Sequence, residues 1–413
     1  MKILLIHQYF LEKDDPGGSR FNEMTKSWVE AGHEVVVLAG TVNYITGKVP
    51  EQYRGKSFKW VEYQENLNVL RCKVSENYNA NFIGRLWAYF SFVFYSILGG
   101  LFKLKFKPDV IVVTSPPLFV GITAVVLRWF KRVPYVFEVR DLWPESAIDS
   151  GVVKNKLIIK LAYFFEGYIY KRARLINVLT PAFKKKLIEN KNVPENKVIF
   201  IPNAADFRLS DTLLSSFDPD EFRAKHGMKD KFVVTYVGAH GVANHLWQLL
   251  DAAELLMDSN VVIQLVGGGM EKDKLKESAA ERQLTNVVFV DPVPKAEVFK
   301  YILASDVGAS VLKKVDTFKT IYSNKTFDYM ACKRPVLLCI DGVSRELVEN
   351  ANCGVFAEPE NAVEIAKKIR YLKDEVNDLS AMGLNGYNYA KQHFDRQVLA
   401  ELYTQALSEV KNG

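Results

Sequence analysis

Short runs of consecutive apolar residues recur along the first half of the chain, separated by stretches with helical periodicity. They are Ile3–His7, Glu34–Leu38, Asp109–Val113, Tyr135–Val139, Leu175–Leu179 and Val198–Ile201. Strands that are buried on both faces of a parallel sheet have this continuous apolar pattern, because helices cover both sides of the sheet. The first half is therefore predicted to form a parallel α/β sheet, with its first helix at about residues 19–31.

The same alternation begins again in the second half. Its apolar runs are Phe232–Val237, Val261–Val266, Val287–Val290, Val307–Leu312 and Pro335–Cys339. The segment before them, Asp206–Lys231, lacks the pattern and contains Asp218-Pro219-Asp220, which predicts a linker.

The predicted fold class is α/β, with two doubly wound Rossmann-like domains facing each other across a cleft. Residues 1–205 are assigned to the first domain and residues 206–390 to the second. A final helix within residues 391–413 is expected to pack back on the first domain. Ligands of such sheets bind at the carboxyl ends of the strands, so the candidate chemistry is sought there.

Composition narrows the class of protein further. The chain has 413 residues, 48% of them hydrophobic and 25% charged, as in globular proteins of more than one domain. Its four cysteines and six histidines have no metal-binding or disulfide-framework spacing, which favours a reducing cytosol and no metal. The apolar run at Ile3–Ile6 is too short for a signal peptide, so we expect a cytoplasmic protein.

Charge is distributed unevenly between the two halves. Residues 1–205 carry 29 Lys and Arg against 18 Asp and Glu, whereas residues 206–413 carry 25 against 30. A basic half indicates an anionic partner on one side of the protein. No nucleic-acid-binding module is recognisable, so we expect no nucleic acid and favour an anionic membrane surface.

Residues 86–102 are apolar on every helical face and are flanked by Arg85, Lys103, Lys105 and Lys107. Seventeen residues reach only the lower limit for a membrane-spanning helix, and both flanks are basic. Two interpretations stay open, a buried core helix and an interfacial helix with its cations on anionic headgroups. Both are possible at once on different faces of one helix.

Lys325 and Asp328 lie three residues apart in Ser323-Asn324-Lys325-Thr326-Phe327-Asp328, a segment predicted to begin a helix. This spacing places both side chains on one helical face. A lysine in the first turn opposes the helix macrodipole, but a cation beside unpaired helix N–H groups suits a bound phosphate. A carboxylate one turn later would suit a ribose diol. A solvated ion pair on an ordinary helix is the alternative.

Glycine-containing loops follow a strand in each half, at Gly17-Gly18-Ser19-Arg20 and at Gly238-Ala239-His240-Gly241. Glycine lets the backbone approach a pyrophosphate closely, although a tight strand–helix turn would use the same residues. Neither loop matches GxGxxG, which argues against a nicotinamide-binding domain. A third loop, Gly267-Gly268-Gly269, could lie against a nucleobase or ribose, or be a simple turn.

Three carboxylates and an arginine directly follow one predicted strand, in Glu138-Val139-Arg140-Asp141-Leu142-Trp143-Pro144-Glu145. Alternation along the strand would place Glu138 and Arg140 on one side and Asp141 on the other. Salt bridges at the surface would explain the charges as well. Because α/β sites form at strand ends, we interpret this segment as part of a site.

These motifs, in this order, resemble the GT-B glycosyltransferases of family 4. They resemble most the branch that builds bacterial O-antigens and capsules, including N-acetyl-L-fucosaminyltransferases. The resemblance covers nearly the whole chain and also includes Ile201-Pro202-Asn203 and Ala243-Asn244. It implies retaining transfer of a sugar from a nucleotide-diphosphate donor, with a UDP-sugar as co-substrate and no metal or other cofactor. The implied acceptor is an undecaprenyl-diphosphate-linked sugar at the inner face of the plasma membrane.

The resemblance also implies site residues. Lys325 would bind the diphosphate, Asp328 the ribose, and Gly18 and Gly241 would offer N–H groups to phosphate or sugar. The expected donor-binding residues are Gly17, Gly18, Arg20, Asn203, Gly238, Gly241, Asn244, Gly268, Lys325 and Asp328. The expected catalytic residues are Glu138, Arg140, Asp141 and His240. The departing phosphate can itself take the acceptor proton, and His240 is the second candidate for a general base.

The chain departs from the family pattern at several positions. Where the family often has two glutamates eight positions apart, this chain has Thr320 and the shorter Asp328. Cys332 stands where a glycine is usual, and Asn203 is followed by Ala204 rather than glycine. Two alternatives therefore stay open, a UDP-sugar epimerase of the same two-domain form and an inactive membrane-associated scaffold.

Overall fold

The computed structural model describes residues 1–12, 15, 20–43, 47–76, 82–149, 153, 155–374 and 378–413. The chain divides into two compact units. Unit 1 comprises Met1–Pro202 together with Gln397–Gly413, and unit 2 comprises Asn203–Arg396. The sequence places the first boundary at residues 205/206 and the start of the returning segment at about residue 391.

Unit 1 is built on an eight-stranded sheet formed by its described residues. The strands are β1 (Lys2–Ile6), β2 (Glu34–Gly40), β3 (Phe58–Gln64), β4 (Leu67–Cys72), β5 (Val110–Ser115), β6 (Tyr135–Val139), β7 (Leu175–Val178) and β8 (Val198–Phe200). The spatial order is β3-β4-β2-β1-β5-β6-β7-β8. Pairing is parallel except between β3 and β4. Apart from β3, this is the Rossmann order, which reverses direction between β1 and β5.

Helices connect the parallel strands of unit 1. They are α1 (Arg20–Glu30), α2 (Phe82–Phe102), α3 (Val120–Lys131), α4 (Glu145–Asp149), α5 (Lys156–Arg172) and α6 (Pro181–Glu189). The central strand β1 is covered on both faces, and Ile3, Leu4 and Leu5 are completely buried. The apolar runs of the sequence thus become the central strands because every face of these strands is shielded from water.

Unit 2 is built on a six-stranded sheet whose pairs are all parallel in the described chain. The strands are β9 (Phe232–Val237), β10 (Val261–Val266), β11 (Val287–Val290), β12 (Val307–Val311), β13 (Val336–Cys339) and β14 (Gly354–Phe356). Their order, β11-β10-β9-β12-β13-β14, is again the Rossmann order and reverses between β9 and β12. The prediction of two doubly wound Rossmann-like domains is confirmed.

The helices of unit 2 cover both faces of this sheet. They are α7 (Phe207–Ser216), α8 (Pro219–Lys225), α9 (Trp247–Glu254), α10 (Lys272–Glu281), α11 (Lys295–Leu303), α12 (Asn324–Ala331), α13 (Val343–Asn350), α14 (Ala362–Asp374) and α15 (Leu379–His393). A last helix, α16 (Arg396–Asn412), carries the chain back into unit 1. There Tyr403 is fully buried, with its ring 5.5 Å from that of Trp28.

The interpretation of Asp206–Lys231 as a linker is wrong, because this segment forms α7 and α8 within unit 2. The Asp206 carboxylate accepts a hydrogen bond from the N–H of Leu209 and caps α7. Asp218 caps α8 in the same way, with a proline as the first helical residue. The aspartates and the proline that look like loop residues are therefore helix-start signals.

Helix α2 has one buried and one exposed face. Ala88 and Phe92 are completely buried, whereas Trp87, Phe94 and Phe102 are 62%, 57% and 74% exposed. The buried face of α2 agrees with the interpretation of residues 86–102 as a core helix, and the exposed face leaves the interpretation as an interfacial helix open. Among the residues described, no helix is both long and apolar enough to cross a bilayer.

Candidate active site

Helix α12 is held against the sheet of unit 2 by Tyr329. The buried Tyr329 hydroxyl accepts a hydrogen bond from the N–H of Val237 at 3.1 Å and donates one to the carbonyl of Ala309 at 2.9 Å. These two partners lie on β9 and β12, the strands between which the sheet reverses direction. The first turn of α12 is therefore placed at the position where Rossmann-like sheets bind ligands.

Lys325, in this first turn, extends toward the end of β9. Its ammonium nitrogen lies 4.9 Å from the ring centre of Tyr236. A Cβ placed on Gly238 would be 3.5 Å from Cε of Lys325, so the lysine stem lies directly beside the glycine loop. Burial lowers the pKa of Lys325 to about 8. A partly desolvated ammonium that is still protonated at neutral pH is suited to bind a phosphate.

Asp328 lies one turn further along α12 and is half-buried. Burial raises the pKa of its carboxyl group to about 6, and the cations of Lys295 and Arg396 oppose this rise. No ion pair within 4.0 Å joins Lys325 to Asp328 in the described chain. The alternative of an ordinary surface ion pair does not fit this geometry.

The loop that begins at Gly238, beside Lys325, contains unpaired backbone N–H groups. Gly238 and Ala239 are exposed after β9. In the described part of the chain, the N–H groups of Ala239, Gly241 and Val242 have no hydrogen-bond acceptor. Unpaired N–H groups beside a lysine are suited to bind an anion. Diphosphate oxygens would satisfy these donors.

The loop at Gly267–Gly269 supports the first glycine loop. A Cβ on Gly267 would lie 1.9 Å from the carbonyl oxygen of Gly238, and one on Gly269 would lie 2.5 Å from that of His240. The carbonyl of Gly268 accepts a hydrogen bond from the N–H of His240 at 2.9 Å. The contacts of Gly268 therefore favour a role in holding the Gly238–Gly241 loop, rather than the flat ligand surface expected of it.

His240 is turned into the protein. Its side chain is completely buried, and neither ring nitrogen has a hydrogen-bond partner among the described residues. Burial and the nearby Lys272 and Lys276 lower the pKa of His240 to about 4. A general base must reach the proton that it removes, and this ring has no exposed surface. The position favours a packing role for His240.

The two asparagines predicted to bind the donor lie at the edges of this site. The Asn203 side-chain amide donates a 2.6 Å hydrogen bond to Oδ1 of Asn324, the first residue of α12. The N–H of Asn244 donates to the carbonyl of Gly241 and closes the glycine loop. Unit 2 thus brings together Asn203, Gly238, Gly241, Asn244, Lys325 and Asp328.

Glu138, at the carboxyl end of β6 in unit 1, is fully buried and fully paired. It accepts hydrogen bonds from Arg20 Nε at 3.1 Å and from the amide of Asn177 at 3.0 Å. Arg20 also donates to the carbonyls of Ile201 and Pro202, where the chain leaves unit 1. This pairing favours a positioning role for Glu138 and Arg20 over direct contact with substrate.

Asp141 is the carboxylate of this segment without an ion-pair partner among the described residues. It accepts a 2.7 Å hydrogen bond from Ser146, and burial raises the pKa of its carboxyl group. Glu145, in contrast, pairs with Lys191 at 2.8 Å. The three carboxylates therefore have different partners, and Asp141, which has no ion-pair partner among the described residues, is the one most available to a substrate.

His7 directly follows β1 and is a candidate site residue that the sequence reasoning did not identify. Its Nδ1 lies 3.0 Å from the hydroxyl of Thr114 on β5, at the point where the sheet of unit 1 reverses direction. Burial first, and then Arg140 and Arg71, lower the pKa of His7 well below its usual value. His7 and Arg140 therefore share this edge of the sheet. The position of His7 at the end of an apolar strand was the available signal.

The first glycine loop cannot be placed in this geometry, because Gly17 and Gly18 lie outside the described residues. In the described ranges, no three His, Cys, Asp or Glu side chains come together as a metal site. The expectation of metal-independent chemistry stays a prediction.

Comparison with known protein families identifies both halves of the chain. Residues 17–204 match the model of the glycosyl transferase 4-like domain, and residues 218–389 match that of glycosyl transferases group 1. The chain is a glycosyltransferase built from two GT4-type domains. The prediction of a glycosyltransferase is confirmed.

Two curated relatives are similar to this transferase over most of their length. WcaI of Escherichia coli K12, named as a colanic acid biosynthesis glycosyl transferase, is 23% identical over 90% of this chain and 91% of its own. WbjE of Pseudomonas aeruginosa, named as a glycosyltransferase, is 24% identical over 73% of this chain and 72% of its own. Both relatives are named as glycosyltransferases, and the N-acetyl-L-fucosaminyl branch stays a prediction.

Solved structures match the fold of the transferase along its whole length. Sucrose-phosphate synthase from Thermosynechococcus elongatus has a TM-score of 0.76 at 16% identity, covering 99% of this chain and 98% of that chain. HepE of Anabaena, solved in complex with UDP, has a TM-score of 0.72 at 18% identity, covering 99% and 100%. Identities this low show the GT-B type of fold and leave the substrates of the transferase to be proposed.

Proposed function

We propose that the transferase moves a sugar from a UDP-sugar to an undecaprenyl-diphosphate-linked acceptor, with retention at the transferred carbon. The proposed pathway is bacterial O-antigen or capsule synthesis, and the proposed sugar is an N-acetylated deoxyhexose such as N-acetyl-L-fucosamine. The observation that carries this proposal is Lys325, which lies beside the Gly238 loop with a row of unpaired N–H groups. A HepE structure in complex with UDP-glucose supports the choice of a uridine nucleotide.

The donor is proposed to bind in unit 2. The N–H groups of Ala239, Gly241 and Val242 and the ammonium group of Lys325 would hold the diphosphate. Asp328, ionised above about pH 6, would accept hydrogen bonds from the ribose hydroxyls. Negative charge grows on the diphosphate as the sugar departs, and preorganised donors stabilise that charge without reorganising.

The acceptor proton is proposed to pass to the departing phosphate. His240 does not compete for this role, because its ring is buried and its pKa is about 4. In unit 1, Asp141 and Arg140 are proposed to orient the acceptor. Arg20 and Glu138 are proposed to hold the strand end on which these two residues lie.

A thermal-shift screen tests the donor. A ligand that binds the folded protein raises the free energy of unfolding by about 2.7 kcal/mol at a hundred times its dissociation constant. We expect stabilisation by UDP and by UDP-N-acetyl-L-fucosamine, but not by GDP- or dTDP-sugars at equal concentration. Equal stabilisation by all three nucleotide classes would contradict the uridine assignment.

Product analysis tests the reaction. The transferase should release UDP and form a new glycolipid only when an undecaprenyl-diphosphate-linked sugar is present. An epimerase would change the UDP-sugar without any acceptor. An inactive scaffold would form no product, and failure to bind any nucleotide-sugar would support this alternative.

Membrane association is also proposed, through the exposed face of α2. Trp87 and Phe94 on this face are large aromatic side chains in contact with water, and Lys103 at the end of the helix is exposed. Amphipathic helices with such faces lie in the interfacial layer of anionic membranes. Sedimentation with anionic vesicles at low and high salt tests this proposal, and no binding under either condition would assign α2 to the core alone.

A further inference from the structure

A cavity of about 1130 Å³ lies in unit 1, away from the proposed chemistry. The final turns of α3, α5 and α16 surround it, and Pro134 and Arg174, which directly precede β6 and β7, are part of its lining. It therefore opens at the amino edge of the sheet, whereas Arg140 and Asp141 follow the carboxyl edge.

Arginines dominate the polar lining of this cavity, which includes Arg128, Arg132, Arg172 and Arg174. None of these four guanidinium groups forms an ion pair within 4.0 Å with any residue that the structure describes. Burial, followed by Arg128 and Arg174, lowers the pKa of neighbouring Lys197. The guanidinium groups therefore create a positive potential that no side-chain carboxylate within 4.0 Å offsets in the described chain, and Gly413 lies beside Arg174.

Helix electrostatics explain only part of this cluster. Arg128 and Arg172 lie in the last turns of α3 and α5, where a cation stabilises the helix dipole. Arg132 is the C-cap residue of α3 and has the same role, whereas Arg174 lies beyond the C-cap of α5. Planar guanidinium groups converging on one cavity are suited to bind a phosphate with two hydrogen bonds each.

The rim of the cavity is apolar and exposed. Trp129 and Phe130 at the end of α3 are 75% and 59% exposed, and their ring centres are 4.7 Å apart. Tyr168 on α5 completes the rim and lies 5.5 Å from the guanidinium carbon of Arg172. Aromatic side chains in this position are typical of protein surfaces at the water–membrane interface.

An exposed apolar stripe continues along α5 from this rim. Leu157, Leu161, Phe164 and Tyr168 are spaced by three or four residues, so they share one helical face, and each is at least 40% exposed. The exposed Lys156 and Lys160 lie beside the stripe. A free phosphate would explain the arginines but not this stripe, whereas a lipid with an anionic headgroup explains both.

We infer that the cavity binds the phosphodiester headgroup of an anionic phospholipid, while the α5 stripe lies among the acyl chains at the interface. The inference rests on the proposed membrane association and gives it a specific site, distinct from the face of α2. The bound lipid would place the exposed face of α5 on the membrane, so that this helix lies along the interface.

Vesicle sedimentation with matched variants tests the inference. The cavity variant is Arg128→Gln/Arg172→Gln/Arg174→Gln, and the control is Lys225→Gln/Lys229→Gln/Lys231→Gln. The control removes the same number of positive charges from exposed side chains of unit 2. Each basic residue near an anionic surface contributes about 1 kcal/mol, so the cavity variant should partition about a hundredfold less onto phosphatidylglycerol-containing vesicles. The control should change by less than about threefold, as expected of charges distant from the surface.

Tryptophan fluorescence provides a second measurement. Trp129 should enter the interface, so the blue shift of emission on adding phosphatidylglycerol vesicles should be larger in the wild type than in Trp129→Phe. Equal loss of binding in the cavity and control variants would overturn the inference, as would strong binding to vesicles of phosphatidylcholine alone. Release of UDP from UDP-sugar in detergent, with an undecaprenyl-diphosphate-linked sugar as acceptor, should be unchanged in both charge variants. If that reaction is absent while vesicle binding follows the prediction, the proposed function fails and the lipid site stands.

Discussion

Replacement of Lys325 by methionine should stabilise the free protein and abolish donor binding. In the folded protein, burial lowers the pKa of Lys325 from 10.5 to about 8. At pH 7 the lysine is protonated in both the folded and the unfolded chain, so the folded state carries the cost of a partly desolvated charge. Between about pH 8 and pH 10.5 the unfolded chain holds a proton that the folded protein has released, so stability rises with pH there.

The magnitude follows from this difference in pKa. The change from 10.5 to about 8 corresponds to about 3 kcal/mol at 1.36 kcal/mol per pH unit. Methionine retains most of the stem but loses the contact of the ammonium group with the Tyr236 ring, which contributes about 1 kcal/mol. Lys325→Met should therefore raise the free energy of unfolding by about 2 kcal/mol. For a unit of this size that corresponds to about 4 to 8 °C in Tm.

Differential scanning calorimetry with and without UDP provides the assay, since the two units need not unfold in one step. The wild type should melt higher with UDP, whereas Lys325→Met should start higher and gain nothing. Lys274→Met is a matched control in the same unit, because the Lys274 side chain is 68% exposed. The control should behave as the wild type does. A lower Tm for unliganded Lys325→Met, or a full response of this variant to UDP, would refute the reasoning.

Three further predictions concern the same two units. Affinity for UDP-glucose should be highest between about pH 6 and pH 8, because Asp328 loses its charge below this range and Lys325 loses its charge above it. Calorimetric titration measures this affinity, and an affinity that does not fall above pH 8 would contradict the role of Lys325. Glu138→Ala should lower the free energy of unfolding by about 3 to 5 kcal/mol, because Arg20 is left as a buried charge without its carboxylate. Glu138→Gln should lower the free energy of unfolding by less, and denaturant titration compares the two variants. Tyr329→Phe leaves the buried N–H of Val237 without an acceptor, so it should lower the free energy of unfolding by about 1 to 3 kcal/mol and weaken UDP binding. Unchanged UDP binding would argue against the role of Tyr329 in positioning α12.

The central strands could be predicted from the sequence because burial on both faces leaves a direct record in it. The β3–β4 hairpin at Phe58–Cys72 was not predicted. β3 is an antiparallel edge strand on which Lys59 and Glu62 are exposed, so its composition resembles that of a loop. Edge strands use such charges to avoid pairing with other chains.

Helix α15 shows why local propensity was a poor guide elsewhere. It contains Gly383 and Gly386, which weaken an isolated helix. A Cβ on Gly383 would lie 2.1 Å from the carbonyl oxygen of Lys333, so glycine is required for close packing of this helix. That contact joins residues far apart in sequence, and no local pattern contains it.

In the candidate site, too, some features follow from the local sequence and others depend on contacts between distant residues. The common face of Lys325 and Asp328 follows from their spacing, since a helix places residues three apart together. The partner of Glu138 is Arg20, which lies 118 positions earlier in the chain. A carboxylate paired over such a distance looks available when only its neighbours in sequence are known. Because this pairing cannot be recognised from the local sequence, Glu138 was interpreted as a catalytic residue.

The return of the chain into unit 1 has a consequence for the order of folding during synthesis. Tyr403, on α16, covers Trp28 in the core of unit 1, yet the whole of unit 2 is translated between them. At about 5 to 20 residues per second, the ribosome needs on the order of 10 to 40 s for that part. Unit 2 is continuous in sequence and can complete its core first. Until α16 is synthesised, Trp28 in the amino-terminal half of the chain stays exposed. We therefore expect chaperones to bind mainly to this half during synthesis.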